Sequence, residues 1–235
     1  GAQPNVYYRI LDPNGVLVTG PNYINNNTGA LTLTKTGTYL LEFEGNYGNT
    51  GSTSFAFQLL DVSDQLAALI LNQSFSGTLS QPDQRDVHTF TVTENTLLYV
   101  DALDGNGNGN WQLIGPQGLV DGRNFRNTDG VARAGTDPLA LTLVPGAYQF
   151  IVTYSGNQTA SYTFRLLVLS TAPPLVLGLD TPISLDPANG TQAYAISANA
   201  GDVLHISATG GSNVSLRLID SAGRVVTFLQ NASQG

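Results

Sequence analysis

The chain has no cysteine, no methionine and a single lysine, Lys35, among 235 residues. Without cysteine there can be no disulfide, no thiolate nucleophile and no cysteine-based zinc site. With one lysine, a lysine-based isopeptide crosslink is confined to the N-terminal segment. Charge is scarce as well, at 11% of residues, against about 25% in an ordinary soluble domain. What charge there is leans acidic, with Lys+Arg 9, Asp+Glu 17 and a net charge of −8. Nucleic-acid affinity comes from basic clusters that neutralise phosphates, so DNA and RNA are excluded as partners. Anionic membrane surfaces are disfavoured for the same reason. The longest aliphatic run, Leu66-Ala67-Ala68-Leu69-Ile70-Leu71, falls far short of the roughly 20 residues a membrane helix needs, so no membrane insertion is expected. No signal-peptide pattern opens the chain. It begins at Gly1 without an initiator, and the expectation is a window cut from a longer protein.

What is present is a repeat. Tyr8-Arg9-Ile10-Leu11-Asp12-Pro13-Asn14-Gly15 aligns with Trp111-Gln112-Leu113-Ile114-Gly115-Pro116-Gln117-Gly118, and with Leu216-Arg217-Leu218-Ile219-Asp220-Ser221-Ala222-Gly223. The glycines lie 103 and 105 residues apart (118 − 15; 223 − 118). Gly37–Leu41 aligns with Gly146–Phe150, and Ser54–Leu60 with Ser161–Leu167. Thr89–Val92 aligns with Ala193–Ile196, while Leu98 and Val100 align with Leu204 and Ile206. Blocks in the same order at offsets of 103 to 109 define a unit of about 105 residues. The chain then holds the C-terminal part of one unit over 1–63, a complete unit over 64–172 and the N-terminal part of a third over 173–235. The linkers, Asp61–Asp64 and the proline-bearing Ser170–Pro174, are short, so neighbouring units are expected in a fixed relation.

Within the unit, apolar and polar residues alternate and turn signals recur every 8 to 12 residues. Tyr162, Phe164, Leu166 and Val168 share one face, as do Tyr148, Phe150, Val152 and Tyr154. The pattern predicts strands near 74–79, 86–92, 96–103, 110–115, 119–124, 138–143, 146–155 and 160–169. A short helical turn is predicted only at 64–71. Asn and Gly, at 20 and 26 residues, supply turn conformations. The fold class is all-β: tandem antiparallel jelly-roll-like β-sandwich repeats of about 105 residues. The succession Gly77-Thr78-Leu79, Asp86-Val87-His88-Thr89-Phe90-Thr91-Val92, Leu113-Ile114-Gly115-Pro116-Gln117-Gly118, Pro145-Gly146-Ala147-Tyr148 and Tyr162-Thr163-Phe164-Arg165-Leu166 resembles the bacterial pre-peptidase C-terminal domain. Gly201-Asp202-Val203-Leu204-His205-Ile206 is similar to a strand opening common in that family. The resemblance spans essentially the whole chain. It implies a jelly-roll-like sandwich, an extracellular setting, no catalytic residues and, in some members, calcium or matrix binding.

The residues themselves point the same way on catalysis. His88 aligns with Gln192 and His205 with Tyr99, so neither histidine recurs, and no Gly-x-Ser-x-Gly elbow exists. Both histidines read as ordinary strand residues, and no catalytic residue is expected. The sharpest chemical candidate is calcium. Asp104-Gly105-Asn106-Gly107-Asn108-Gly109 places oxygen ligands at alternate positions, as the first half of an EF-hand loop does, but Gly115 stands where a bidentate Glu would close the shell. Asp101, Asp104, Asn106 and Asn108 are the candidate ligands; the competing reading is a hairpin turn. Calcium is the one cofactor under consideration. Six Asn-x-Ser/Thr sequons occur, at Asn26, Asn72, Asn157, Asn189, Asn213 and Asn231. Trp111 recurs as Tyr8 and Leu216, which marks a core position rather than a sugar platform.

These features lead to a structural, non-catalytic segment of a large bacterial extracellular or cell-surface protein: a stalk, adhesin body or filament. The expected partners are neighbouring repeats, or copies of the same chain that complete the two half-units head-to-tail. The alternative is a calcium-assisted module for a glycan or matrix ligand, accessory to a secreted enzyme.

Overall fold

A computed structural model describes residues 5–103, 109–129, 140–154, 159–207 and 214–230. The chain forms two compact units, Gly1–Val62 and Ser63–Gly235.

The second unit contains the complete sandwich. Nine strands build it: β4 (Gln65–Ala68), β5 (Ser74–Leu79), β6 (Arg85–Val92), β7 (Thr96–Ala102), β8 (Gly109–Gly115), β9 (Gly118–Asn124), β10 (Leu141–Leu143), β11 (Gly146–Tyr154) and β12 (Ala160–Val168). They form a four-stranded sheet ordered β10-β7-β12-β5 and a five-stranded sheet ordered β4-β6-β11-β8-β9. The alternation that predicts these strands also places the core. Leu98, Val100 and Ala102 of one sheet meet Trp111, Leu113, Phe150 and Val152 of the other, and each of these side chains is buried. Phe150 and Phe164 stack across the gap with ring centroids 4.5 Å apart. Trp111 is core, and its indole nitrogen donates to the Thr128 hydroxyl at 2.7 Å.

One predicted element is corrected. Residues 65–68 form a strand, not a helical turn, and pair in parallel with β6 in the register Gln65↔Asp86 to Ala68↔Thr89. Ala67 and Leu69 turn inward while Leu66 and Ala68 face out, a period of two. The helix-forming tendency of Leu and Ala yields here to a sheet edge that supplies backbone partners. The sandwich is therefore antiparallel except at this edge.

The first unit is one sheet of three strands, β1 (Val6–Leu11), β2 (Leu17–Tyr23) and β3 (Leu40–Gly45), ordered β2-β1-β3. Phe55 and Phe57 lie 5.1 and 4.9 Å from the Phe43 ring, but their residues carry no strand pairing and both are exposed. The register of β1 on β3 reproduces that of β8 on β11. Tyr8↔Phe43 corresponds to Trp111↔Val152, and Leu11↔Leu40 to Ile114↔Gln149, at offsets of 103 and 109 (111 − 8; 152 − 43).

The third segment contributes the hairpin β13 (Ser215–Ile219) and β14 (Val225–Gln230). All three hairpins break register at one aligned position: Ile10/Leu11, Leu113/Ile114 and Leu218/Ile219. The flanking turns share their chemistry. Asp12 Oδ1 accepts from the backbone of Asn14 and Val16, as Asp220 Oδ1 does from Ala222 and Arg224. Gly15 and Gly223 take the left-handed φ of 76° and 83° that closes each turn.

The structure also corrects one alignment block. An isolated parallel bridge joins Pro174 to Ala195, and the amide of Leu175 donates to Ala195 at 2.7 Å. The middle unit has Ala68↔Thr89, with the Leu69 amide donating to Thr89 at 2.9 Å. The offset is thus 106 (174 − 68; 195 − 89). Thr89 corresponds to Ala195 and His88 to Tyr194, two residues beyond the match that composition favours. A shift of two keeps every side chain on the same face, so alternation alone could not fix it.

Candidate functional site

Asp101 sits on β7, and its neighbours in the fold differ from those the loop pattern suggests. Asp104, Asn106 and Asn108 lie outside the described residues. Asp101 is fully buried, and its Oδ2 accepts from Arg165 at 2.6 Å (Nη2) and 3.1 Å (Nε), and from the Thr191 amide at 3.3 Å. Its Oδ1 has no hydrogen-bond partner among the described residues. Arg165 stands directly across the β7–β12 ladder from Asp101, and its Nη2 also donates to the Thr191 carbonyl at 2.7 Å. Asn189 reaches the Ala102 carbonyl at 3.3 Å, and Arg217 reaches the Tyr99 hydroxyl at the same distance. Tyr99 and Asp101 point away from the sandwich core, onto the outer face of the four-stranded sheet. The third segment covers that face and buries them. Among the described residues no group of three or more His, Cys, Asp or Glu converges on a metal-sized site.

Asp129 lies beside this clasp, its Oδ2 accepting from the Ala102 amide at 2.6 Å. Burial, with the Asp101 charge adding to it, pushes the Asp129 carboxyl up to about 6. Between the unfolded value of 3.8 and about 6, the folded chain holds a proton that the unfolded chain has released. Stability therefore falls as pH rises through that window and stays lowered above it. Asp129→Asn keeps the acceptor for Ala102 and removes the charge. It is expected to raise unfolding stability by about 1–2 kcal/mol at pH 7.5 and to leave it unchanged at pH 4, in urea titrations at both pH values. A loss at pH 7.5 refutes this reading of Asp129.

A second polar group lies inside the core. Asp86 and His88 share the inward parity of Phe90 and Val92 on β6. The Tyr162 hydroxyl donates to Asp86 Oδ2 at 2.6 Å and meets His88 Nε2 at 2.9 Å, while Gln84 donates to Asp86 Oδ1 at 2.7 Å. Because the hydroxyl hydrogen goes to Asp86, His88 carries a proton on Nε2, while its Nδ1 has no hydrogen-bond partner among the described residues. Burial holds the His88 pKa below the usual imidazole range, against the pull of Asp86. The Tyr162 hydroxyl is pushed up by burial and by Asp86. All three side chains are buried, so His88 is a partnered core residue. Parity on β6 is the sequence signal that marks it.

The third feature is what the two flanking segments leave uncovered. Leu40, Phe55, Phe57 and Leu59 are exposed in the first unit, and Val203 and Leu204 in the third segment. The counterparts of β5, β6 and β7 (180–185, 191–198 and 202–208 at the 106 offset) form no strand ladder among the described residues beyond the Pro174–Ala195 bridge.

The fold and these features define a class: a β-sandwich module with a buried polar core group and a clasp to the following segment. No protein-family profile matches the chain, and no curated protein matches it by sequence. Among solved structures it is similar to the pre-peptidase C-terminal domain of a collagenase from Bacillus anthracis, with 18% identity and a TM-score of 0.32, covering 46% of this chain and 99% of that one. It is also similar to PliG of Salmonella Typhimurium, a periplasmic inhibitor of g-type lysozyme, with 18% identity and a TM-score of 0.35, covering 44% of this chain and 98% of that one.

Proposed function

We propose that the chain is a structural, non-catalytic segment of a large bacterial extracellular or cell-surface protein, built from copies of one sandwich unit and used as a stalk, adhesin body or filament. The observation that carries this reading is the recurrence of register. Three hairpins break at the same aligned position, and the β1–β3 ladder repeats the β8–β11 ladder pair for pair. Units that repeat at short spacing, each bonded to the next, build an elongated body. The clasp of Arg165 and Asp101 onto Thr191 supplies such a bond. The low charge, 11% of residues, limits repulsion between stacked units.

Electron microscopy of the native particle tests the proposal. A rod or filament with a regular axial period is the expected result. A discrete globular particle that binds glycans and gains thermal stability from calcium, reversibly with chelator, would replace it with a ligand-binding module.

A further inference from the structure

The chain carries two near-copies of one strand. β12 holds Ser161-Tyr162-Thr163-Phe164-Arg165-Leu166-Leu167, and the first unit holds Ser54-Phe55-Ala56-Phe57-Gln58-Leu59-Leu60. Four of the seven positions are identical, and they include the core residues Phe164 and Leu166. Apolar packing therefore cannot tell one strand from the other. Misassembly by exchange of like segments is a characteristic failure of repeat proteins.

The three positions that differ are Tyr162/Phe55, Thr163/Ala56 and Arg165/Gln58. In β12 each of the three makes a side-chain hydrogen bond, and each bond goes to a different strand. The Tyr162 hydroxyl crosses the core to Asp86 and His88 of β6, at 2.6 and 2.9 Å. Thr163 meets Ser76 of β5 at 3.0 Å, and Arg165 meets Asp101 of β7 at 2.6 and 3.1 Å. We propose that these three side chains are a strand-identity code: the place between β5 and β7 accepts β12 and rejects its near-copy. With residues 54–60 there, phenylalanine would bring no hydroxyl to Asp86 and His88, and alanine none to Ser76. Glutamine would bring no charge to Asp101, which is fully buried. Buried groups left unsatisfied in this way are costly.

β12 is unsuited in turn to the corresponding positions of the third segment. At the 106 offset, Gly77 and Asp101 correspond to Ile183 and Ser207. Tyr162 lies across its ladder from Gly77, and a Cβ there would collide with the tyrosine hydroxyl. Ile183 carries such a Cβ, and Ser207 offers Arg165 no carboxylate. A buried ion pair adds little net stability, because desolvation offsets the attraction. What it adds here is discrimination between strands of one apolar pattern, since the wrong strand leaves a charge unpaired.

The absence of cysteine makes strand choice directly readable. Ser161 stands opposite Thr78 across the β12–β5 ladder, both at exposed positions. Ser161→Cys with Thr78→Cys therefore reports β12 in place, and Ser54→Cys with Thr78→Cys reports the near-copy there. Each pair is made in the unaltered chain and in a chain carrying Phe55→Tyr, Ala56→Thr and Gln58→Arg. That chain gives the near-copy all three residues and leaves every contact of β12 intact. The proteins are refolded from urea, oxidised and mapped for disulfides within and between chains, with Trp111 fluorescence verifying a folded middle core. The yield of the 54–78 disulfide relative to the 78–161 disulfide is expected to rise at least about tenfold in the substituted chain. Phe43→Ala, which removes the ring that Phe55 and Phe57 meet without supplying the three residues, is expected to keep the low ratio. An unchanged ratio in the substituted chain, or an equal rise with Phe43→Ala, overturns the proposal: the three residues then stabilise β12 and select nothing. The shape of the native particle, which tests the functional proposal, does not depend on either result.

Discussion

Replacing Arg165 with leucine is expected to cost the middle sandwich about 3–5 kcal/mol, because it strands a buried charge. Asp101 is fully enclosed, and Arg165 provides two of the three hydrogen bonds reaching its Oδ2. With Oδ1 already unpartnered among the described residues, the carboxylate would keep only the Thr191 amide at 3.3 Å. The arginine side chain is itself largely covered by the third segment, so ordinary surface screening does not rescue the pair. Urea titration followed by Trp111 fluorescence reads the loss. The companion variant Asp101→Leu/Arg165→Leu should recover most of it, since an apolar pair of similar volume removes both charges together. A single-variant loss below about 1 kcal/mol, in the range of exposed ion pairs, would show that the clasp is solvated. Amide exchange at Thr191 should quicken in the single variant as its carbonyl loses Arg165 and only the 3.3 Å bond from its amide to Asp101 holds the segment.

Tyr162→Phe is the second large effect, expected at about 2–4 kcal/mol from two buried polar groups left unsatisfied. The hydroxyl serves Asp86 Oδ2 at 2.6 Å and His88 Nε2 at 2.9 Å. Its loss leaves Asp86 with the Gln84 contact and leaves His88 without a partner on Nε2. The pH dependence carries a further sign. His88 is neutral when folded, with its pKa held by burial below the usual imidazole value of 6.5. Its contribution is therefore present above pH 6.5 and lost as pH falls from there through the depressed folded pKa. In the variant, His88 lacks the acceptor that completed its neutral tautomer beside the Asp86 charge. The folded His88 pKa then moves back toward 6.5, so the histidine-linked loss of stability on acidification should shrink. An unchanged urea midpoint would show that water replaces the hydroxyl.

Most of the strand framework was legible because each strand buries one face. Residues 74–79 are observed as predicted, and the other seven predicted strands of the unit match within a few residues. Where both faces are covered, alternation loses its meaning. Asp101 and Arg165 lie on an outer face that alternation assigns to solvent, and only the third segment turns that face into an interior. Leu66–Leu71 misled for a related reason: a short apolar run carries no period that separates a buried edge strand from a helical turn. The two-residue slip at Thr89 was invisible to side-chain pattern and was settled by backbone bonds at Pro174 and Ala195. The core position of His88, by contrast, was written in its parity with Phe90 and Val92. Its partner Tyr162, 74 residues away, required the fold.

The clasp has a mechanical meaning. Arg165 and Thr191 are 26 residues apart in sequence yet directly bonded. A pull on the third segment therefore loads the Arg165–Asp101–Thr191 bonds and the Pro174–Ala195 bridge before it stretches the chain between them. When those contacts rupture, the 23 residues beyond the end of β12 (191 − 168) pay out on the order of 75–80 Å of contour, while both sheets of the sandwich stay folded. In the structural role proposed above, this joint would act as a sacrificial fuse with hidden length.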